Sequence, residues 1–438
     1  MTCRDAAPRP RNGVVVAGMG LVTALGADRE STWRALLDGR SGARVVDVDR
    51  LGPRAAFPAL DPLVRARLPE PAHTLAARAA TEALVDAGLM NPGPAGTANG
   101  LRDHVDPDRV GVIVGLSKGG LRGLTRSAAR TFEQRDLAPF DCDWTLSWPH
   151  AAADFVAVMT GATGPRSCPV AACATGLVAA LRGLEWIERG VCDVVLVGAA
   201  DASLEPPVLA AFDRMRVLAR GRNLDDPTCL VRPGDHTRNG FLVGEGAAIL
   251  VLERAAHAQA RSIQPYCAFA GGALGSDPHG VADPDPDPRQ LARFLERAVA
   301  QSGSDMNMID HVNLHATATR AGDPPECAAV RRALGTRADE TPCVANKAQI
   351  GHLLGAAGAA ELAIACLTLR DDAVPPTLNR DDPDPACDLL FMRATHRQPI
   401  RAALKVSIGF GGHLAAAVLA QSESARRPAP CERSELEP

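Results

Sequence analysis

The sequence predicts an α/β fold with buried sheets, on two observations. Apolar, β-branched runs of strand length alternate with segments of helix length, the pattern of a sheet covered on both faces. The alternation then restarts in the second half of the chain. Taken in order, residues 13–18 read as a strand and residues 74–87 as an amphipathic helix, followed by a Gly/Pro loop over 91–108. Residues 110–115 give a second strand, 191–199 a third around Val194-Val195-Leu196-Val197, and 247–253 a fourth. In the second half, residues 266–272 mirror the first strand and 290–301 the early helix. Residues 311–315 mirror the run that leads to Cys173. The Asp-Pro repeat over 283–288 is of low complexity and reads as a surface loop.

Composition narrows the function. The chain has 438 residues, 46% hydrophobic and 22% charged, as expected of a globular protein with a large core. Aromatic residues make up only 3%, so that core must be aliphatic. A net charge of −4, with no Lys/Arg stripe interleaved with aromatics, excludes a nucleic-acid partner. No apolar run reaches the roughly 18 residues of a membrane span. Residues 1–12 lack the apolar core of a secretory signal. They are expected to be a disordered leader, as residues 421–438 are a disordered tail, on a cytoplasmic protein. The 12 cysteines stand singly, without Cys-x-x-Cys or metal-ligand spacing, so reduced thiols are expected, with no metal and no cofactor. Gly18-Met19-Gly20 after a strand hints at a dinucleotide loop. Thr23 at the third glycine position and the lack of a following acidic residue argue against it.

Cys173 is the most informative residue. It sits in Val170-Ala171-Ala172-Cys173-Ala174-Thr175-Gly176, after the apolar run 168–172 and before a helix-like stretch over 177–189. A sulfur at a helix N-terminus meets unpaired N–H groups and the helix dipole, which favour the thiolate. On its own this cysteine reads first as a buried structural thiol. Two histidine segments change its context: His311 to Glu326, with His315 and Thr317-Ala318-Thr319, and Asn346 to Glu361, with Lys347 and His352. A glycine-rich piece, Ser407-Ile408-Gly409-Phe410-Gly411-Gly412-His413, closes the set.

Together these segments resemble the β-ketoacyl-[acyl carrier protein] synthases, the elongating Cys-His-His class of the thiolase-like condensing enzymes. The resemblance runs from Val14 to Ala420 and takes in Ser31-Thr32-Trp33, Arg232-Pro233, Gly240 to Gly246 and Ala373 to Asn379. It implies a thiolase-like five-layer α-β-α-β-α sandwich from two duplicated halves, 13–258 with the nucleophile and 259–420 with both histidines. It implies an acyl group carried on Cys173 and condensed with malonyl-acyl carrier protein. His315 and His352 would stabilise the enolate, and the N–H groups of Cys173 and Phe410 would form the oxyanion hole. Phe410 would double as a gate; its alternative is a core aromatic. A buried Lys347 would pair with Glu326, with Asp323 and Glu361 structural. Thr317 and Thr319 would hold the pantetheine arm, or simply cap a turn. Arg216, among several arginines, would meet the acidic carrier protein, and the chain would form a homodimer or pair with a homologue.

The chain departs from the family pattern at Ala316, where glycine is usual, at Ala348, where serine is common, and at Ile408, where an aromatic is frequent. His413-Leu414 replace the usual Thr-Asn. These departures point to a specialised lipid or polyketide synthase. The alternatives are the catalytic half of a heterodimer, or a non-catalytic chain-length partner, which the intact Cys173 argues against. A thiolase would need a second cysteine in 407–412, and the acetyl-CoA-primed class an asparagine in place of His352.

Overall fold

A computed structural model describes residues 13–49, 51–60, 70–91, 93, 100–134, 144–221 and 224–422. The expected leader and nearly all of the expected tail lie outside these residues, as do residues 92 and 94–99 of the expected loop over 91–108.

Ten strands build the main sheet: β1 (Val14–Val22), β2 (Val110–Leu116), β3 (Arg166–Ser167), β4 (Val194–Asp201), β5 (Gly246–Arg254), β6 (Cys267–Ser276), β7 (His311–Asn313), β8 (Cys343–Val344), β9 (Ala402–Gly409) and β10 (His413–Ala420). Their spatial order is β8-β7-β9-β10-β6-β1-β5-β4-β2-β3. This is one five-strand pattern used twice. Strands β1 to β5 lie in the order 3-2-4-5-1, and β6 to β10 repeat it as 8-7-9-10-6. The strand directions repeat too: β1–β5 and β5–β4 are antiparallel and β4–β2 and β2–β3 parallel, as are their counterparts in the second half. The two halves join at two residue pairs, Val15 with Ala268 and Val16 with Cys267.

Six helices complete the layers: α1 (Pro71–Asp86), α2 (Ala151–Thr160), α3 (Thr175–Glu188), α4 (Pro288–Gln301), α5 (Asp323–Leu334) and α6 (Ala357–Asp371). α1 and α2 cover the outside of the first half and α4 and α5 the outside of the second, while α3 and α6 pack on each other between the halves. Three apolar clusters fill the three interfaces, the largest around α3 and α6. The result is the five-layer, duplicated thiolase-like fold. α6 is buried on every side from Ala357 to Leu369, which explains its continuously apolar sequence.

The mirror assigned to residues 311–315 is one strand off. β7 takes the place of β2, and the counterpart of the segment before Cys173 is β8. Short strands with generic apolar sequence leave such a register to the topology. Gly18 and Gly20 are not a phosphate loop. They lie inside β1, where an added Cβ would stand 2.5 Å from Ala83 O and 2.1 Å from Ala79 O, so they admit the backbone of α1. The Asp-Pro repeat lies in the loop between β6 and α4, and Asp287 caps α4 by accepting from the Arg289 N–H.

Candidate active site

The chain does not run as a strand into Cys173. β3 ends at Ser167, and Ala172–Ala174 form a single 3-10 turn before α3. Ala172 holds a positive φ of 46°, strain that persists only where the surroundings impose it. Thr175 Oγ1 imposes it here, accepting from the Ala171 N–H at 2.9 Å and donating to Ala172 O at 2.8 Å. Cys173 is 7% exposed. The end of β9 closes over it. A Cβ on Gly409 would stand 2.6 Å from Ala171 O, so only glycine lets this strand approach and aim the Phe410 N–H at the sulfur.

His352 follows Gly351, whose φ of 77° turns the chain. Its backbone is fixed on both sides: its N–H donates to Leu242 O, and its carbonyl accepts from the Gly244 N–H, each at 2.9 Å. The ring places Nε2 3.1 Å from Cys173 Sγ. Nδ1 accepts from the Leu354 N–H at 3.3 Å, which assigns the proton of the neutral ring to Nε2. Phe241 packs edge-on to this ring at 4.8 Å between centroids, and the His315 ring stands at 5.5 Å, nearly perpendicular. One donor atom each from Cys173, His315 and His352 lies within 4.8 Å of the others. Three segments remote in sequence therefore converge.

Burial dominates the electrostatics. It pushes the Cys173 thiol up to about 11, against the opposing pull of Lys118, Lys347 and the Phe410 N–H. Burial, reinforced by Lys347, holds both His315 and His352 well below the usual histidine range. The resting site is thus a thiol beside two neutral imidazoles, which corrects the expectation that the helix terminus yields a thiolate. Cys173 precedes the helix cap Ala174, and the desolvation of a nearly enclosed sulfur outweighs the dipole. Alkylation of Cys173 by iodoacetamide is therefore expected to keep accelerating from pH 7 through pH 9, as the thiolate fraction grows. A rate profile already flat above pH 7 contradicts this.

The expected Lys347–Glu326 pair is not formed. Glu326, in the first turn of α5, uses both carboxylate oxygens on the backbone, accepting from the N–H groups of His315 at 2.6 Å and Ala316 at 2.7 Å. Burial pushes it up to about 7, opposed by those two N–H groups. Lys347 instead meets Glu361 Oε1 at 2.5 Å and donates to the carbonyl of His315. Lys405 reaches Glu361 Oε2 at 2.7 Å. All four charged groups are buried. Glu361, which the sequence suggests is merely structural, thus serves two ammonium groups, and Lys405 is a site residue that no motif marks. A signal for it exists all the same: a lysine inside the apolar strand Ala403-Leu404-Lys405-Val406 must have a buried partner. Asp323 is buried in α5 and accepts from the Gly234 N–H at 3.0 Å.

A cavity partly open to solvent is lined by Cys173, His315 and His352 and by Thr317, Thr319 and Phe410. The two threonine hydroxyls are 3.0 Å apart, and Thr319 Oγ1 also accepts from the Gly322 N–H, so the turn-capping reading holds for Thr319 while its side chain still lines the cavity. Val281 and Pro284 of the Asp-Pro loop form the opposite wall, tied to the glycine-rich piece by the Gly411 N–H on Val281 O at 2.6 Å. Arg216 is exposed just past the helix Pro206–Arg214, next to the cavity residue Val217.

Known proteins are similar to this chain over nearly its whole length. Residues 11–258 match the family described as Beta-ketoacyl synthase, N-terminal domain, and residues 266–381 match Beta-ketoacyl synthase, C-terminal domain. The tetracenomycin polyketide synthase ketoacyl synthase alpha subunit of Streptomyces glaucescens is 35% identical, over 94% of this chain and 98% of that protein. The 3-oxoacyl-[acyl-carrier-protein] synthase 2 of a Synechocystis strain is 32% identical, over 91% and 96%. Among solved structures, a type II polyketide ketosynthase in complex with its acyl-carrier protein and bound to the hexaketide superposes with a TM-score of 0.85. It is 28% identical and covers 95% of this chain and 100% of that one. A beta-ketoacyl synthase from Burkholderia phymatum gives 0.82, at 29% identity over 94% and 99%.

Proposed function

Because the chain belongs to the beta-ketoacyl synthase family, we propose that it condenses an acyl group held on Cys173 with malonyl-acyl carrier protein, releasing CO2 and 3-oxoacyl-acyl carrier protein, in fatty-acid, specialised lipid or polyketide synthesis. The observation that carries this reading is the 3.1 Å contact of Cys173 Sγ with His352 Nε2, with His315 on the adjacent side. No cofactor or metal enters the scheme.

In the first half-reaction Sγ bonds to the acyl carbonyl carbon, the carrier's C–S bond breaks, and the Cys173 proton ends on the released carrier thiol. The N–H groups of Cys173 and Phe410 receive the oxyanion. In the second, the malonyl C–CO2 bond breaks and its electron pair forms an enolate, whose oxygen meets the donor faces of His315 and His352. Neutral imidazoles suit this task, since each presents a donor without holding a competing anion. The enolate carbon then attacks the acyl-Cys173 carbonyl, and Sγ leaves and regains a proton. Lys347 and Glu326 act on the backbone of His315 and hold it in place. Thr317 and Thr319 flank the pantetheine path, Phe410 is its gate, and Arg216 at the rim meets the acidic carrier.

We place the division between the halves at 258/259, in the segment between β5 and β6, and the protein in the cytoplasm. Among the described residues no helix is long and apolar enough to cross a membrane, and the cysteines are free thiols. A dimer fits the surface. The sheet ends at β3, an exposed edge strand, and Val158 at 79% and Val170 at 51% exposure stand beside it with Phe155. The similarity to an alpha subunit supports a heterodimer with a homologue as the second form. Co-purification with a cysteine-less homologue separates it from a homodimer.

Intact-protein mass spectrometry tests the reaction. Incubation with acyl-carrier proteins is expected to add one acyl mass at Cys173. Malonyl-carrier protein should then remove it and yield a product two carbons longer. No adduct from any donor overturns the reading.

A further inference from the structure

Cys173 lines the same cavity as Thr317 and Thr319, and the turn that carries it also packs against the end of β2. A Cβ on Gly115 would stand 2.3 Å from Thr175 Cγ2 and 2.8 Å from Pro169 O, so the end of β2 presses on the turn that carries Cys173. A Cβ on Gly355 would stand 2.7 Å from Ser117 N and 3.2 Å from Asp201 Oδ2, so the turn after His352 rests on the same place. Ser117, Lys118 and Asp201 therefore flank the cysteine and histidine, and none of them lines the cavity.

The chemistry on this side is polar. Asp201 is 4% exposed, and neutral donors occupy it: Ser117 Oγ and the Gly355 N–H, the latter at 3.1 Å, on Oδ2, and Ser203 Oγ on Oδ1. Lys118 is less committed. Its Nζ stands 3.6 Å from Asp201 Oδ2, beyond hydrogen-bond length, and its one hydrogen bond among the described residues goes to the adjacent Ser117 Oγ. An ammonium has three donors, so two remain. The side chain keeps 30% exposure. Of the cations near Cys173, Lys118 pulls hardest on the thiol.

The proposed reaction makes two substrates use Cys173 in turn. The second enters by the cavity, so the acyl chain left by the first must clear that path. On the β2 side, where the Lys118 side chain is partly exposed, a saturated chain would lie against an ammonium and strip it of water with no return, which is costly. We propose that the acyl chain takes this side and that Lys118 selects the first substrate: the acyl chain on Cys173 carries an oxygen acceptor, a keto or carboxylate oxygen, that takes the unused donors of Lys118, and plain alkyl chains are discriminated against. This inference rests on the synthase reading above.

The test is the rate of Cys173 acylation, followed by intact mass, from three carrier proteins of matched acyl length: saturated, 3-oxo and ω-carboxyl. Wild-type protein is expected to load one or both oxygen-bearing chains about tenfold faster than the saturated chain, the worth of a hydrogen bond to a charged group. The 3-oxo and ω-carboxyl arms show which oxygen is read. Lys118→Met should lose or reverse the preference, and Lys118→Arg should keep it. Decarboxylation of malonyl-carrier protein should persist in both variants and report an intact fold. Equal loading of all three chains by a protein that still condenses overturns the role of Lys118 and leaves the synthase standing, as does a preference that Lys118→Met does not alter. Loading of none overturns the synthase, and this inference with it.

Discussion

Cys173→Ala is expected to abolish acyl loading, a loss of about a thousandfold or more, whereas His315→Ala and His352→Ala leave loading measurable and remove malonyl decarboxylation. The contrast follows from where charge develops. Acyl transfer needs the Sγ–C bond, and no other described nucleophile lines the cavity at the point where the two imidazoles meet. Decarboxylation makes no bond to sulfur. It builds an oxyanion that two donors must share, and losing one donor of that kind costs about 10² to 10³ in rate. His352→Ala carries a second effect. It removes the group 3.1 Å from Sγ, so loading by this variant should be slower than by His315→Ala. Mass spectrometry reads the loading, and CO2 release from labelled malonyl-carrier protein reads the second step. A persistent adduct in Cys173→Ala refutes the nucleophile. Undiminished CO2 release in both histidine variants refutes their role.

The reach of the sequence differs between the site and its supports, for a physical reason. Cys173, His315 and His352 each sit in a short segment whose neighbours share its task. Ala171, Ala172 and Thr175 shape the turn, Gly351 and Leu354 orient the ring of His352, and Glu326 clamps the backbone at His315. Local sequence therefore carries local geometry, but the catalytic assignment of the three residues comes from the resemblance of their segments taken together, since each residue alone reads as an ordinary core side chain. Their charge environment is different in kind. Lys405 comes to Glu361 from β9, Lys347 from the short helix Lys347–Ile350, and Glu361 from the first turns of α6. No spacing along the chain encodes that meeting, and the resemblance pairs Lys347 with Glu326 and leaves Glu361 structural. Glu326 is the wrong one, because two backbone N–H groups already use both of its oxygens. Lys118 and Asp201 are hidden in the sequence for the same reason: they come from the ends of β2 and β4, brought together by sheet register. The thiolate expectation fails differently. The helix terminus is visible in the sequence, and the burial that outweighs it is not.

That charge cluster carries the largest stability effect expected of any single change. Glu361→Gln keeps the shape of the side chain and removes its charge, which leaves Lys347 and Lys405 facing each other in a site sealed from water. Lys405 is already pushed down to about 8, by burial first and with Lys347 adding to it, while Glu361 opposes both. Without that carboxylate the main opposition is gone, so this lysine must lose its proton or the site must open. Removing one partner from a buried ion pair costs about 3–5 kcal/mol, and here one carboxylate serves two ammonium groups. Urea unfolding followed by circular dichroism should show a loss of that size. Activity should fall with it, because Lys347 also holds the carbonyl of His315 and would no longer be anchored. Glu361→Gln/Lys405→Met removes the second cation together with the anion and should recover the part of the loss that comes from repulsion between two buried ammonium groups, leaving Lys347 with the His315 carbonyl alone. A Glu361→Gln protein as stable as wild type, or a double variant no better than the single, would show that the two lysines are not held by this carboxylate.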